Sequence, residues 1–367
     1  MFYNSLGSTG KEISAIGFGA MRFLPEEYNK DLQFCADILL YAHEQGINFF
    51  DTAPLYCEGL SEEIIGLALQ QIKGKKPYVS TKCNFRLAQT AQDAYEEILK
   101  SRDRLQVDTI DFYYMWRLKD WAQHEKNMRP GGVYEGMLRA KEEGIITHIC
   151  ASLHANGEDT ARIVADKKTE VITLGYNATN FAYRREGVKA AYESGQGVVV
   201  MNPLSGGLIP QYADYFSFLK EDNSQTVSQA ALQFLLAQKE VSSALVGFSS
   251  IEEIDQAVAA TKNQREFTEE MLAEIAKKYG AEMNSLCTAC SYCKDCPLSI
   301  PLVPMMFFYN EKILDPNADF LPRMRMQYEI TPDMAEICNG CGACERNCTQ
   351  KLPIIQRLRE ISTMREV

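Results

Sequence analysis

The stretch Phe49-Phe50-Asp51-Thr52-Ala53-Pro54-Leu55-Tyr56 is a short apolar run that ends on a carboxylate, is broken at a proline, and gives way to Gly59-Leu60-Ser61-Glu62 at a helix start. A strand covered on both faces reads as such a continuous apolar run, and a helix that follows at once is the pattern of a parallel strand with its crossover. Working outward, strands are expected at 15–19, 49–51, 78–82, 109–115, 146–151, 171–176, 197–201 and 244–247. Segments with apolar residues recurring at three and four lie between them, at 32–44, 61–71, 91–104, 133–143 and 227–238. Eight such units in about 250 residues are the arithmetic of a closed (β/α)8 barrel. The competing doubly wound sheet would carry a G-x-G-x-x-G turn after its first strand, and Gly17-Phe18-Gly19 does not make one.

The fold class is therefore α/β: a TIM barrel over 1–265, a helical linker over 266–285 with a helix at 268–279, and a small, mostly helical tail over 286–367. A formal charge of −11 and a pI near 5.1, with no cluster of Lys and Arg, argue against a nucleic-acid surface. The longest apolar runs, such as 197–203, fall far short of the roughly 20 residues that cross a bilayer. Residues 1–20 hold no basic segment followed by an apolar run of signal-peptide length. A cytoplasmic protein without membrane or nucleic-acid partners is expected.

Eight of the twelve cysteines fall in the tail: Cys287, Cys290, Cys293 and Cys296 before Pro297, then Cys338, Cys341, Cys344 and Cys348. Three thiolates two residues apart wrap one [4Fe-4S] cluster, and a fourth before proline serves the neighbouring cluster in two-cluster ferredoxins. Two clusters are expected, the first held by Cys287, Cys290, Cys293 and Cys348, the second by Cys338, Cys341, Cys344 and Cys296. Two departures stand out: only two residues separate Cys293 from Cys296, and Thr349 stands where the second motif would carry proline. Disulfides or structural zinc are the alternatives for paired C-x2-C units. Between the motifs, Pro301, Pro304, Pro316 and Pro322 with Met305, Phe307 and Phe308 suggest a packed, partly helical connector that shields clusters from water. Exposed clusters survive best in an anaerobe. Cys35, Cys57, Cys83 and Cys150 are scattered and read as buried thiols.

Active groups of such barrels sit at the carboxyl ends of strands. There the second strand offers Asp51 and Tyr56 and the third offers Lys82, a set that can relay a proton to a carbonyl oxygen, with Lys82 lowering the pKa of Tyr56. The run Gly46-Ile47-Asn48-Phe49-Phe50-Asp51-Thr52-Ala53, followed by Tyr56 and Ser61-Glu62, resembles the aldo-keto reductases, nicotinamide-dependent (β/α)8 carbonyl reductases. Val107-Asp108-Thr109-Ile110-Asp111, Lys141-Glu142-Glu143-Gly144 and Pro203-Leu204 extend the likeness over roughly 5–260. The cysteine tail is similar to that of the subgroup with a C-terminal ferredoxin-like 4Fe-4S domain.

The resemblance implies catalytic roles for Asp51, Tyr56 and Lys82, with Tyr56 the acid, and puts Trp116 where the family usually has histidine. For the cofactor it implies Ser152, Asn177, Met201, Pro203 and Leu204. Yet Leu153, Thr173 and Met201 replace the usual asparagine, glutamine and tyrosine. His154 matches a histidine frequent in the subgroup and is equally readable as structural. Gly247, Ser249 and Ser250 lead into a helix whose backbone N–H groups can cradle a phosphate or form an ordinary cap. Glu252 and Glu253 in place of Lys or Arg favour NAD over NADP.

Clusters pass single electrons, whereas nicotinamide delivers hydride. Three routes stay open: NAD(P)H reduction beside structural clusters, a flavin between the two, or electrons from a ferredoxin or another carrier delivered near Tyr56 and Trp116. The competing class is a non-catalytic electron carrier that keeps the barrel as scaffold. The substrate is expected to be a small carbonyl compound or alcohol, its pocket lined by loop residues such as Arg22, Phe85, Arg117 and Tyr183.

Overall fold

The computed structural model describes residues 1–84, 86–262, 265–279 and 285–365. Phe85 and the end of the linker lie outside the described residues. A short antiparallel hairpin, β1 (Tyr3–Ser5) and β2 (Glu12–Ser14), comes first and was not foreseen from sequence. The parallel strands follow as β3 (Ile16–Gly19), β4 (Phe49–Asp51), β5 (Tyr78–Lys82), β6 (Ile110–Leu118), β7 (Ile146–Leu153), β8 (Val171–Gly175), β9 (Gly197–Met201) and β10 (Ser243–Val246). They close in the order β10-β3-β4-β5-β6-β7-β8-β9. Each expected strand is present within a few residues of its expected bounds. β6 runs three residues past Met115, with a register shift against β7 between Met115 and Leu118.

Helices Leu32–Glu44 and Ser61–Gln71 have the bounds read from sequence. Helix Ala91–Leu105 begins at a capping box, in which Thr90 Oγ1 accepts from Asp93 N–H and the Asp93 carboxylate accepts from Thr90 N–H. Trp121–Met128, Gly157–Ala165 and Phe181–Glu193 are further helices between the strands. The strand periodicity puts successive side chains on opposite faces. Phe50, Val79, Tyr113, Ile149 and Val198 pack outward into one large core under the helices. Phe49, Phe112, Tyr114, Cys150, Val171, Val199 and Leu245 form a second cluster inside the barrel, closed by Leu6 and Ile13 of the hairpin region.

The tail adds helices Leu302–Leu314, Leu321–Tyr328 and Ile354–Thr363, and no strand is found among its described residues. Its own core gathers Met305, Met306, Phe308, Phe320, Met324, Leu358 and Ile361. Helix Leu302–Leu314 mediates between the two bodies: Phe308 packs into the tail core while Phe307 packs against the barrel core. Linker helix Glu269–Tyr279 buries Leu272 and Ile275 in the barrel core. No helix among the described residues is long and apolar enough to cross a membrane.

Candidate active site and cysteine cavities

Where β4 ends, Asp51 is held from two sides. Ser80 Oγ donates to its Oδ1 at 2.7 Å and Lys82 Nζ donates to its Oδ2 at 2.7 Å, with a second bond from Lys82 Nζ to the Thr52 carbonyl at 2.6 Å. Lys82 is 1% exposed, so its charge sits in low dielectric against one carboxylate. The Ser61-Glu62 motif locks this corner. Ser61 Oγ lies 2.6 Å from Thr52 Oγ1, and fully buried Glu62 accepts from Thr81 Oγ1 at 2.6 Å and from Arg104.

Tyr56 sits on a turn whose next two residues, Cys57 and Glu58, are left-handed at φ 50° and 57°. Lys82 Nζ lies over its ring, 4.8 Å from the centroid. Burial and the Asp51 charge hold the Tyr56 phenol well above its ordinary pKa, and Arg22 opposes them. The expectation that Lys82 lowers this pKa is thus corrected: the ammonium is spent on Asp51 and Thr52, and burial with the Asp51 charge prevails at the phenol. Tyr56 stays a protonated donor.

Trp116 meets Tyr56 edge-on, centroids 5.8 Å apart at 86°. Its Nε1–H donates at 2.9 Å to the hydroxyl of Tyr292, a residue of the tail. Tyr292 also meets the ring of His154 edge-on at 5.6 Å. Burial, then the charges of Arg184 and Arg117, push His154 well below its ordinary pKa, so the imidazole is neutral.

Asp51, Tyr56, Lys82, His154 and Tyr292 line one cavity of about 380 Å3 at the barrel mouth, together with Arg22 and Cys290, whereas Trp116 lies outside its wall, behind Tyr56 and Tyr292. Met201, Pro203, Leu204, Gly247 and Ser249 also line it, with Gly247 against the Arg22 side chain. Ser152 and Asn177 are fully buried and outside that wall. Among the described residues the Ser152 hydroxyl has no hydrogen-bond partner, and Asn177 ties loops together, donating to the Asn202 carbonyl and accepting from Thr179. The Gly247–Ser250 loop spends its polar groups on a helix cap: Ser249 N–H and Oγ both donate to Glu253, and Ser250 Oγ accepts from Glu253 N–H. Of the expected pocket residues, Arg117 instead lies over the Tyr292 ring at 5.1 Å, and Tyr183 lies beside Arg184.

The tail cysteines surround two further cavities, and the two motifs cross. Cys287, Cys290, Cys293 and Cys348 line cavity I; Cys296, Cys338, Cys341 and Cys344 line cavity II. Thr349, in place of proline, sets its hydroxyl 3.5 Å from the sulfur of Cys290, and Leu352 N–H donates to the Cys348 sulfur at 3.4 Å. Among the described residues no three His, Cys, Asp or Glu converge as ligands of a single metal ion would. Each set of four thiols instead rings a space. Cys290 lines both cavity I and the barrel-mouth cavity.

Tyr292 was not expected as a site residue, and Cys290, expected as a cluster ligand, was not expected to face the barrel mouth as well. Both lie inside a motif whose spacing speaks only of ligation, and nothing local says that this loop docks on the barrel. Docking rests on Gly206, whose φ is 70° and where a Cβ would stand 2.2 Å from the Thr288 carbonyl oxygen.

Residues 15–280 match the Aldo/keto reductase family, a span that ends before the first tail cysteine. An uncharacterized oxidoreductase of Bacillus subtilis is 29% identical over 74% of this chain and 94% of its own length. An NADH-specific methylglyoxal reductase of Escherichia coli is 28% identical over 56% of this chain and 68% of its own. Among solved structures, the holo form of an aldo-keto reductase from Bacillus halodurans superposes with a TM-score of 0.64 at 24% identity, covering 77% of this chain and 97% of that one. One from Klebsiella pneumoniae in complex with NADPH gives 0.62 at 20%, covering 76% and 96%. At such identities these likenesses speak for the barrel. With more than half its length matched, the chain belongs to the aldo/keto reductase family and is an oxidoreductase.

Proposed function

We propose that this oxidoreductase reduces a small carbonyl compound, or oxidises the corresponding alcohol, at the barrel mouth, and that its tail holds two [4Fe-4S] clusters. Cys287, Cys290, Cys293 and Cys348 hold one in cavity I; Cys296, Cys338, Cys341 and Cys344 hold the other in cavity II. We divide the chain accordingly into a barrel over 1–265, a linker over 266–285 and an iron–sulfur domain over 286–367. The observation that carries the reading is Cys290, a wall residue of the barrel cavity and of the four-cysteine cavity alike. Four thiols ringing a space suit a multi-atom cluster better than one tetrahedral ion, whose sulfurs must all lie about 2.3 Å from one point. Such clusters supply single electrons when bound.

The chain's own residues do the rest. Reduction of the carbonyl to the alcohol takes two electrons and two protons, or one hydride and one proton; Tyr56, kept protonated by burial and Asp51, gives the proton that the oxygen gains, and the hydrogen at carbon comes as hydride or, with single electrons, as a proton from solvent. Lys82 and Asp51 fix the corner from which it acts and set a positive charge near developing negative charge. Trp116 and Tyr292 close the site against water, doing by shape what the family's histidine would do in part by proton transfer.

One observation favours a nicotinamide as well: the cavity that Tyr56 lines, about 380 Å3, is also lined by Met201, Pro203, Leu204, Gly247 and Ser249, which the family resemblance ties to that cofactor. The relatives named for NADH and NADPH support it. The Glu253 cap competes for the N–H groups a phosphate would use. Electrons from an external carrier, with or without a flavin, remain the better match to Cys290.

Iron and sulfide content of anaerobically purified protein tests the first half: about eight irons per chain are expected, falling by about four in Cys341→Ser. A colourless, iron-free protein would refute it. Anaerobic reduction of methylglyoxal as probe, with NADH, NADPH or a dithionite-reduced ferredoxin in separate arms, tests the second half. Activity with a nicotinamide in iron-free protein would demote the clusters to structure.

A further inference from the structure

Cavities I and II differ in the charges around them, and two of those charges come from the barrel. Arg117, at the end of β6 with left-handed backbone (φ 66°), donates at 3.1 Å to Asn347 Oδ1, next to Cys348, and its charge bears on Cys290. Lys119 donates through Nζ to the carbonyl of Arg346, and its charge bears on Cys348. From the tail itself comes Arg357, 5% exposed, whose charge bears on Cys287 and Cys348. One of its guanidinium nitrogens donates to the Ser285 carbonyl at 2.7 Å, while Nη1 is buried with no hydrogen-bond partner among the described residues. Beside cavity II the local charges offset each other: Arg346 donates to the Cys341 carbonyl at 3.0 Å, and Glu345 acts on Cys344.

Resting on the reading of the tail as a two-cluster domain, we propose that Arg117 and Lys119, together with Arg357, make cavity I the stronger electron acceptor of the two, so that electrons enter at the Cys341 side and end at the barrel mouth. Adding one electron to a thiolate-held group raises its negative charge by one, and a nearby cation stabilises that reduced form. The bonds to the Cys290 and Cys348 sulfurs act in the same direction. Burial opposes them, because Cys287 and Cys348 are buried whereas Cys341 is the exposed member of cavity II. Arg357 is buried and Arg117 half-buried, so their charges are little screened by salt and outweigh that difference, to which Lys119, nearer the surface, adds less. The electron donor is a low-potential one-electron reductant of the reduced iron–sulfur or flavoprotein class. Each transfer moves one electron inward, oxidising the donor and reducing the tail, with no bond made or broken. The barrel thus sets the order of its own electron supply.

The test needs no substrate. Anaerobically assembled protein is titrated with dithionite in the presence of mediators and followed by electron paramagnetic resonance. Two one-electron signals are expected, and Cys341→Ser, which disturbs cavity II, marks the one of lower potential. Lys119→Gln and Arg117→Gln should lower the other potential alone, and Arg117→Lys, which keeps the charge, should restore it. Unshifted potentials, equal shifts of both signals, or a cavity II signal that titrates at the higher potential would each overturn the inference while eight irons per chain still upheld the two-cluster reading. Iron-free protein would sink that reading first and this inference with it.

Discussion

At the amino end of the barrel interior, Leu6 and Ile13 meet Phe49, Phe112, Cys150, Val171, Val199 and Leu245. At the carboxyl end the same strands, two to four residues on, present Asp51, Lys82, Ser152, Thr173 and the loop residue His154. The two interior histidines carry the contrast in one side-chain type. His148 stacks on Phe112 at 5.0 Å and bonds Glu170 through Nδ1 at 2.8 Å. His154 is ringed by the charges of Arg184, Arg117, Lys82 and Lys119 and is kept neutral. Among the described residues, buried polar atoms without partners occur at both ends: Thr173 Oγ1 and His154 Nε2 line the mouth cavity, while Tyr114 Oη, His148 Nε2 and Ser243 Oγ lie deeper in the barrel. What separates the ends is the layer of apolar side chains at one and the charged Asp51–Lys82 pair facing a cavity at the other.

The sharpest way to break this contrast is at the mouth. Tyr56→Phe should cut turnover in the methylglyoxal assay by roughly 10²–10⁴-fold, the range of a lost general acid, while denaturant unfolding moves by less than about 1 kcal/mol. Unchanged turnover removes Tyr56 from the chemistry. Phe49→Ala, at the amino end, should do the reverse and cost about 3–5 kcal/mol of stability in a urea titration, because it leaves a cavity in a closed apolar layer.

Gly206→Ala probes the claim that the mouth is shared between the two bodies. A methyl group against the Thr288 carbonyl at a left-handed position should cost about 1–3 kcal/mol and loosen the tail, read as faster proteolytic release of the cysteine region. A cleavage pattern identical to the parent would mean that the tail does not lean on this point.

The smallest effect lies in acid. Burial pushes the Glu170 pKa up, but bonds from His148 and Lys141 outweigh it and hold the carboxyl at about 2. An unfolded glutamate titrates near 4.3. Its stabilisation is therefore complete above about pH 4.3 and is lost as the pH falls toward 2. Glu170→Gln should flatten that part of the stability curve and leave neutral pH almost untouched; a parallel acid limb in both proteins would contradict it.

The barrel was legible because each of its strands is buried on both faces and so writes itself as a short apolar run, as at 78–82 or 197–201. Hairpin β1–β2 was not, since three-residue strands carry too little pattern to separate them from loop. In the cysteine tail, spacing forecast which thiols share a cavity, crossing of the motifs included. It was silent on Tyr292, because a tyrosine between two cysteines looks like filler until the loop is seen against Trp116 and His154.

Phenol and ammonium show the same division. Sequence brought Asp51, Tyr56 and Lys82 to neighbouring strand ends, but only packing decided that the ammonium is bound by Asp51 and lies over the Tyr56 ring while burial keeps the phenol protonated.

By itself the sequence determined the eight-unit barrel, the acidic charge, the cysteine spacing and the residues at each strand end, because these follow from local periodicity and covalent order. The docking of the tail on the mouth, the sharing of Cys290 between two cavities and the field around His154 were decided by tertiary structure. They depend on side chains as far apart in the chain as Trp116 and Tyr292, and on burial that strengthens or silences charges according to where the whole fold puts them.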